Sequence, residues 1–146
     1  MKITSSAFSE GATIPKTYTC DGGDVIPPLE FSSVPLEAKT LALVVDDPDA
    51  PVGTWDHWVV WNIPATCRGV AEGVAPEGVA GRNSWKRNGW GGPCPPDREH
   101  RYFFKLYALD SVLELARDAT KADLERVMSG HVLAECQLMG RYDRKR

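Results

Sequence analysis

Thr40-Leu41-Ala42-Leu43-Val44-Val45 runs directly into Asp46-Asp47-Pro48-Asp49-Ala50-Pro51. The apolar run has no polar face and ends in two β-branched residues, so it reads as a strand covered on both sides. The segment beyond it is stiff. Proline locks its own φ, lacks an N–H and biases the residue before it toward extended conformations, which makes residues 46–51 a rigid rim at the strand's exit.

Two further strands lie outward from this one. His57 to Ile63 (HWVVWNI) is rich in Trp and Val, which suit a pleated buried surface, and it is stopped by Pro64. Period-two geometry puts His57, Val59, Trp61 and Ile63 on one face. His100 to Leu109 (HRYFFKLYAL) places His100, Tyr102, Phe104 and Leu106 on one face, with Arg101, Phe103, Lys105 and Tyr107 on the other. Weaker strand signals occur at Lys2 to Ser5, at Leu29 to Ser32 and near Val79, whereas Asp21-Gly22-Gly23-Asp24 and Asn88-Gly89 are turn chemistry. With 13 Gly and 11 Pro cutting 146 residues into short segments, the expected architecture is one mainly β domain over residues 1–146.

Helix is expected only near the end. Thr120 is a candidate N-cap with Asp123 three residues on, Leu124, Val127 and Met128 recur at helical spacing, and Gly130 breaks the pattern. Val132, Leu133, Cys136 and Met139 form a second apolar stripe, read as a further short helix over Val132 to Met139 packed at the sheet edge. The closing Arg141-Tyr142-Asp143-Arg144-Lys145-Arg146 reads as a solvated, frayed terminus.

Composition excludes several classes. A net charge of -3 with 42% hydrophobic residues supplies no broad basic surface for nucleic acid and enough apolar side chains for a core without disulfide or metal staples. Residues 1–20 hold no signal-peptide run, and nowhere do about 18 apolar residues occur together. The expectation is a soluble cytoplasmic protein without a membrane span or cofactor. Cys20, Cys67, Cys94 and Cys136 form no C-x-x-C pair. Free thiols are the default reading, and two bridges in any of three connectivities are the alternative for an extracellular or thermophilic setting.

The chemistry concentrates where the rims meet the strands. Asp47 and Asp49 follow one strand, His57 and His100 open two others, and Tyr102 shares the face of His100. Two imidazoles and a phenol, with nearby backbone N–H groups, donate to the oxygens of a phosphate, sulfate or carboxylate, and an Asp orients a ring by accepting from its other nitrogen. Pro93-Cys94-Pro95-Pro96 adds a second rigid wall. Arg101 faces away from His100 and reads as an ion-pair partner. Trp90, beside Gly91-Gly92-Pro93, is a candidate for the pocket mouth.

Asp47-Pro48-Asp49-Ala50-Pro51 leading to His57-Trp58, and Gly92-Pro93-Cys94-Pro95-Pro96 leading to His100-Arg101-Tyr102, resemble the two signature regions of the phosphatidylethanolamine-binding protein family. Cys20-Asp21-Gly22 with Pro27-Pro28-Leu29-Glu30, and His131-Val132-Leu133-Ala134-Glu135, resemble its compact bacterial and archaeal branch, the Raf-kinase-inhibitor-like proteins. The likeness spans nearly the whole chain. It implies two antiparallel sheets in Greek-key arrangement, short peripheral C-terminal helices and a small anion-binding pocket. Asp47, His57, Pro96, His100 and Tyr102 match the family's pocket positions, with Ala50 and Pro51 on the rim. Ligands implied are phosphate-bearing or carboxylate-bearing small molecules, including a phospholipid headgroup; partners implied are a protein kinase or protease, and a second copy in a homodimer. The chain departs from animal members at Asp56, where they often carry a second His, at Cys94, which interrupts the prolines, and in ending at Arg146 without their long C-terminal helix.

The enzyme alternative is a hydrolase with His57 or His100 as general base, or a metal site built from Asp47, Asp49 and the two His. No H-E-x-x-H, serine elbow or Cys-His signature accompanies it. Residues 70–92 are long enough to supply a protruding inhibitory loop, although a crossover connection is the simpler reading.

Overall fold

A computed structural model describes residues 1–144. Strands β1 (Lys2–Thr4), β2 (Leu29–Ser32) and β5 (Gly69–Val70) form a small sheet in the order β1-β2-β5. Strands β3 (Thr40–Asp47), β4 (Trp55–Pro64), β6 (Val79–Ala80), β7 (His100–Leu109) and β8 (Val132–Tyr142) form a larger one in the order β6-β4-β3-β7-β8. Every strand pairing is antiparallel. One α-helix, α1 (Lys121–Met128), and a short 3-10 turn at Lys16–Tyr18 accompany them among the described residues.

The apolar run at residues 40–45 lies at the centre of the large sheet, and all eight residues of β3 are buried. Its two faces serve two cores. Leu41, Leu43 and Val45 meet Trp58, Phe104 and Leu106, with Ile3, Leu29 and Phe31 from the small sheet closing over them. Ala42 and Val44 face the opposite way, with Val59 and Trp61 beneath Leu113, Leu124 and Met128. Double coverage is why the run lacks polar alternation.

Helix α1 obeys its expected signals. The Thr120 side chain accepts from the Asp123 amide while the Asp123 carboxylate accepts from the Thr120 amide, satisfying two otherwise orphaned donors. Gly130 adopts φ 83° just past the helix, where a side chain would be strained. Lys121 then pins the helix to the sheet, with Nζ 3.1 Å from Asp46 and 3.0 Å from Asp56.

Two sequence expectations fail at the C-terminal end. Val132 to Met139 is strand β8, paired with β7 from Leu109↔Val132 to His100↔Tyr142. The proposed stripe is not a buried face, because Val132 and Leu133 are 39% and 42% exposed while Leu138, Gly140 and Tyr142 turn inward at period two. Glycine hid that period: a Cβ at Gly140 would stand 2.6 Å from Ile14 and 2.8 Å from Phe8. Without β8, the backbone groups on that side of β7 would lack ladder partners, a cost that overrides the helical spacing. Nor is the terminus frayed through residue 144. Arg141 and Tyr142 belong to β8, the Tyr142 hydroxyl donates to Asp21, and Arg144 pairs with the same carboxylate. Lys145 and Arg146 lie outside the described residues.

The face assignment in β4 also changes. Val45 pairs with Trp58 but Asp46 with Asp56, so His57 is an extra, bulged residue. A second irregularity lies between Leu41 and Leu43, near Asn62 at φ 55°. These insertions reset the alternation: Val59 and Trp61 face the α1 side, Ile63 faces the inter-sheet core, and His57 meets Tyr102 edge-on.

Candidate functional site

Because β3, β4 and β7 are antiparallel neighbours, the exit of β3 and the starts of β4 and β7 lie at one end of the sheet. A cavity of about 410 Å³ opens there. Asp47, His57, Pro96, His100 and Tyr102 line it, and Ala50 and Pro51 form part of its wall. Asp49 does not. Its carboxylate turns outward to grip the Arg101 guanidinium through two contacts of 2.9 Å and also accepts from the Arg101 amide. The Arg101 hydrogen bond holds the Asp49 carboxyl down at about 2, against a smaller upward push from burial. Arg101 thus makes the ion pair its face predicts.

His100 is clamped between two carboxylates. Nδ1 lies 2.6 Å from Asp47 Oδ2 and Nε2 2.7 Å from Asp97 Oδ1, with the ring fully buried. Only the doubly protonated ring donates to both at once. His57 is held differently. Its Nδ1 is 2.7 Å from the Gly91 carbonyl oxygen, which can only accept, so that nitrogen carries the proton and Nε2 is the one left for a ligand. Burial lowers the pKa of His57, outweighing the opposing pull of the Gly91 carbonyl and Asp47. The neutral ring is therefore favoured, with Nε2 as a lone-pair acceptor.

Tyr102 is the most informative group. The residue is fully buried, and its hydroxyl has no hydrogen-bond partner among the described residues. Burial and then the nearby Asp47 charge hold its proton far more tightly than in water. The Cys94 backbone opposes this weakly from the oxygen side, which leaves the hydroxyl proton still without an acceptor. An orphaned donor of this kind costs about 1–3 kcal/mol, so a buried native example calls for a reason. Trp55 Nε1 is a second buried donor without a partner, in a residue that lines the same cavity.

The rest of the wall was not legible in the sequence. Trp85, inside the segment read as a crossover, meets His57 edge-on at 4.9 Å and carries Arg87 over its face at 5.9 Å. The second half of segment 70–92 is tied to the sheet and does not protrude: Gly81, Ser84 and Gly91 donate to the backbone of Val59, Asp56 and His57. Gly91 must be glycine for this approach, since a Cβ there would fall 2.4 Å from the Trp85 ring. Trp90, the expected mouth residue, instead packs against Trp58 and Phe104 in the core. A lone aromatic in a Gly-rich polar stretch was the available signal for Trp85, and Trp90 carried the same one.

Cys20 and Cys94 also line the cavity, and they are joined by a disulfide with Cα atoms 5.4 Å apart. The free-thiol expectation is therefore wrong for these two and holds for Cys67 and Cys136. Spacing alone carries no pairing information across 74 residues. The bridge fastens the turn at residues 19–24 to the proline wall, assisted by the Cys20 amide donating to the Pro93 carbonyl and Gly92 to Asp24.

Two antiparallel sheets, a short helix and an Asp–His–Tyr cavity at the strand ends define a β protein with a compact internal pocket. The chain belongs to the phosphatidylethanolamine-binding protein family, whose sequence model matches residues 4–143. It is 49% identical to a UPF0098 protein of Methanothermobacter thermautotrophicus, with 99% of each chain covered. A UPF0098 protein of Chlamydia trachomatis is 46% identical over 99% of both. Among solved structures, a phosphatidylethanolamine-binding protein homologue from Chlamydia trachomatis superposes with a TM-score of 0.95 at 46% identity, covering 98% of this chain and 97% of the other. E. coli YbcL, described as a member of the mammalian family, gives 0.91 at 32% identity over 99% and 98%.

Proposed function

We propose that the protein binds small phosphate- or carboxylate-bearing ligands in the Asp47–His57–Tyr102 cavity and regulates a protein partner, a kinase or protease, according to occupancy. The observation that carries this reading is the Tyr102 hydroxyl, a buried donor with no partner among the described residues, in a residue that lines the same cavity as His57 and Trp55, whose Nε1 is likewise without a partner. An anion that accepts from Tyr102 and Trp55 removes the desolvation penalty of both donors. Pro51 and Pro96 supply walls that need no ordering. A cavity of about 410 Å³ holds a phospholipid headgroup but not its two acyl chains.

The metal-site form of the enzyme alternative has no ligand set behind it: among the described residues no three His, Cys, Asp or Glu side chains converge as metal ligands, and Asp49, the fourth member of that set, is committed to Arg101. No helix among the described residues is long and apolar enough to cross a membrane. A cytoplasmic location and a homodimer stay part of the proposal; the Cys20–Cys94 bridge fits a cytoplasm only in a thermophilic cell and otherwise an oxidising compartment.

The test is a titration of the protein with inorganic phosphate, acetate and phosphoethanolamine, tracking histidine NMR signals in wild type, His57→Ala and Tyr102→Phe. Saturable shifts at His57 and His100 are expected in wild type, with the His57 shift weakened in Tyr102→Phe and the His100 shift weakened in His57→Ala. Shifts that survive both substitutions unchanged, or no shift with any anion, overturn the assignment.

A further inference from the structure

With Nδ1 given to Asp47, His100 has one nitrogen left for a ligand, and Asp97 occupies it at 2.7 Å. Asp97 directly succeeds Pro96, which lines the cavity, and its carboxylate is 45% exposed while the imidazole it caps is fully buried. A carboxylate is itself the type of anion the pocket is built to accept. On the reading of this cavity as an anion site, we infer that Asp97 is an intramolecular competitor: it holds His100 in the ligand-free state, and an anion that uses His100 must displace it.

The segment bearing Asp97 is lightly fastened. Besides the His100 contact, Arg98 reaches the Asp49 carbonyl at 3.4 Å and Glu99 reaches Arg141 at 3.4 Å, both on exposed side chains. The Asp97 contact is the shortest of the three and the only one to a buried group. Displacing it frees a charged surface segment, Asp97-Arg98-Glu99, beside the filled pocket, so occupancy becomes readable from outside. It also lowers the apparent affinity of every anion that needs His100 by one common factor, because only the open fraction binds. A ligand satisfied by His57 and Tyr102 alone escapes that factor. Asp97 thus separates anions large enough to span both histidines from those that contact one.

Inorganic phosphate and acetate are titrated into wild type, Asp97→Asn, Asp97→Ala and Glu99→Gln, with the His57 and His100 ring signals tracked by NMR. Glu99→Gln removes a neighbouring charge that does not touch His100. The expected result is phosphate affinity raised about tenfold or more in Asp97→Ala, less in Asp97→Asn because the amide oxygen still accepts, and less than about twofold in Glu99→Gln. Wild-type saturation should move the His100 signal as well as that of His57. Equal gains in Asp97→Ala and Glu99→Gln reduce the effect to general charge and overturn the inference, as does phosphate binding that Asp97→Ala leaves unchanged or weakens. If phosphate and acetate shift no ring in any of the four proteins, the anion-site reading itself fails and takes this inference with it.

Discussion

His57 donates from Nδ1 to the Gly91 carbonyl at 2.7 Å, while the Gly91 amide donates to the His57 carbonyl at 3.0 Å. The reciprocal pair sets both the position of the ring and its tautomer, and leaves Nε2 without a protein proton donor. Burial lowers the His57 pKa below the ordinary value of 6.5. The folded state therefore binds fewer protons than the unfolded one as pH falls through the unfolded value, so the stability contributed by the neutral ring is present above that pH and lost below it. An anion acts in the opposite direction by favouring the protonated ring. Between about pH 8 and about pH 5, ligand-free stability should decline while phosphate affinity rises, and His57→Gln should flatten both profiles. Urea unfolding and calorimetric titration across that range check the pair of slopes; an affinity independent of pH removes His57 from the binding role.

Tyr102→Phe separates a functional donor from a structural one. The hydroxyl has no partner among the described residues, so its removal should leave the ligand-free protein as stable as wild type or more stable by up to about 1–3 kcal/mol. Phosphate affinity should fall about five- to tenfold. Thermal unfolding without ligand, set beside calorimetric titration, gives both numbers. A variant that loses stability would show that the hydroxyl has a structural partner.

The Asp49–Arg101 pair sets an acid limit. With its carboxyl held at about 2 against an ordinary value of 3.8, Asp49 contributes stability above the ordinary value, and that contribution is lost as pH falls toward about 2. Asp49→Asn should be less stable than wild type at neutral pH, with the difference disappearing in acid. It should leave phosphate affinity unaltered, because the carboxylate faces Arg101 and not the cavity. Acid titration monitored by circular dichroism tests the first expectation, and an affinity change in this variant would contradict the second.

Reduction of the Cys20–Cys94 bridge should destabilise the fold by about 2–5 kcal/mol, the range for a bridge closing a long loop. The effect should reach the site as well, since both cysteines line the cavity and Cys94 precedes the Pro95-Pro96 wall. Cys20→Ser with Cys94→Ser should bind phosphate more weakly than the oxidised protein even under conditions where it is folded. Urea unfolding with and without dithiol measures the first effect. Equal phosphate affinity in the two proteins would mean that the prolines hold the wall unaided.

Local pattern carried much of this molecule. An unbroken apolar run is the signature of a doubly covered strand, and β3 is that strand; period-two alternation from His100 to Leu109 assigned both faces of β7; the Thr120 and Asp123 spacing marked the start of α1. The rim residues were legible for the same reason, because proline and the ends of strands are local facts, and antiparallel pairing then brings those ends together.

What the sequence left open depends on register between distant segments. One inserted residue at His57 turns that ring toward Tyr102, and no single-strand periodicity reports a bulge that exists only relative to a partner. Strand β8 was masked because Gly140 fills an inward position where Phe8 and Ile14 leave no room for a side chain. The pairing of Cys20 with Cys94, the seating of Trp85 against His57 and the capping of His100 by Asp97 each need two segments to meet in space. The sequence by itself determined the strands of the first three-quarters of the chain except the two-residue β5, which faces of β3 and β7 are buried and where the rigid rims lie, since steric and hydrophobic preferences act between near neighbours. Tertiary structure alone decided which donors are spent on protein partners and which are left for a ligand.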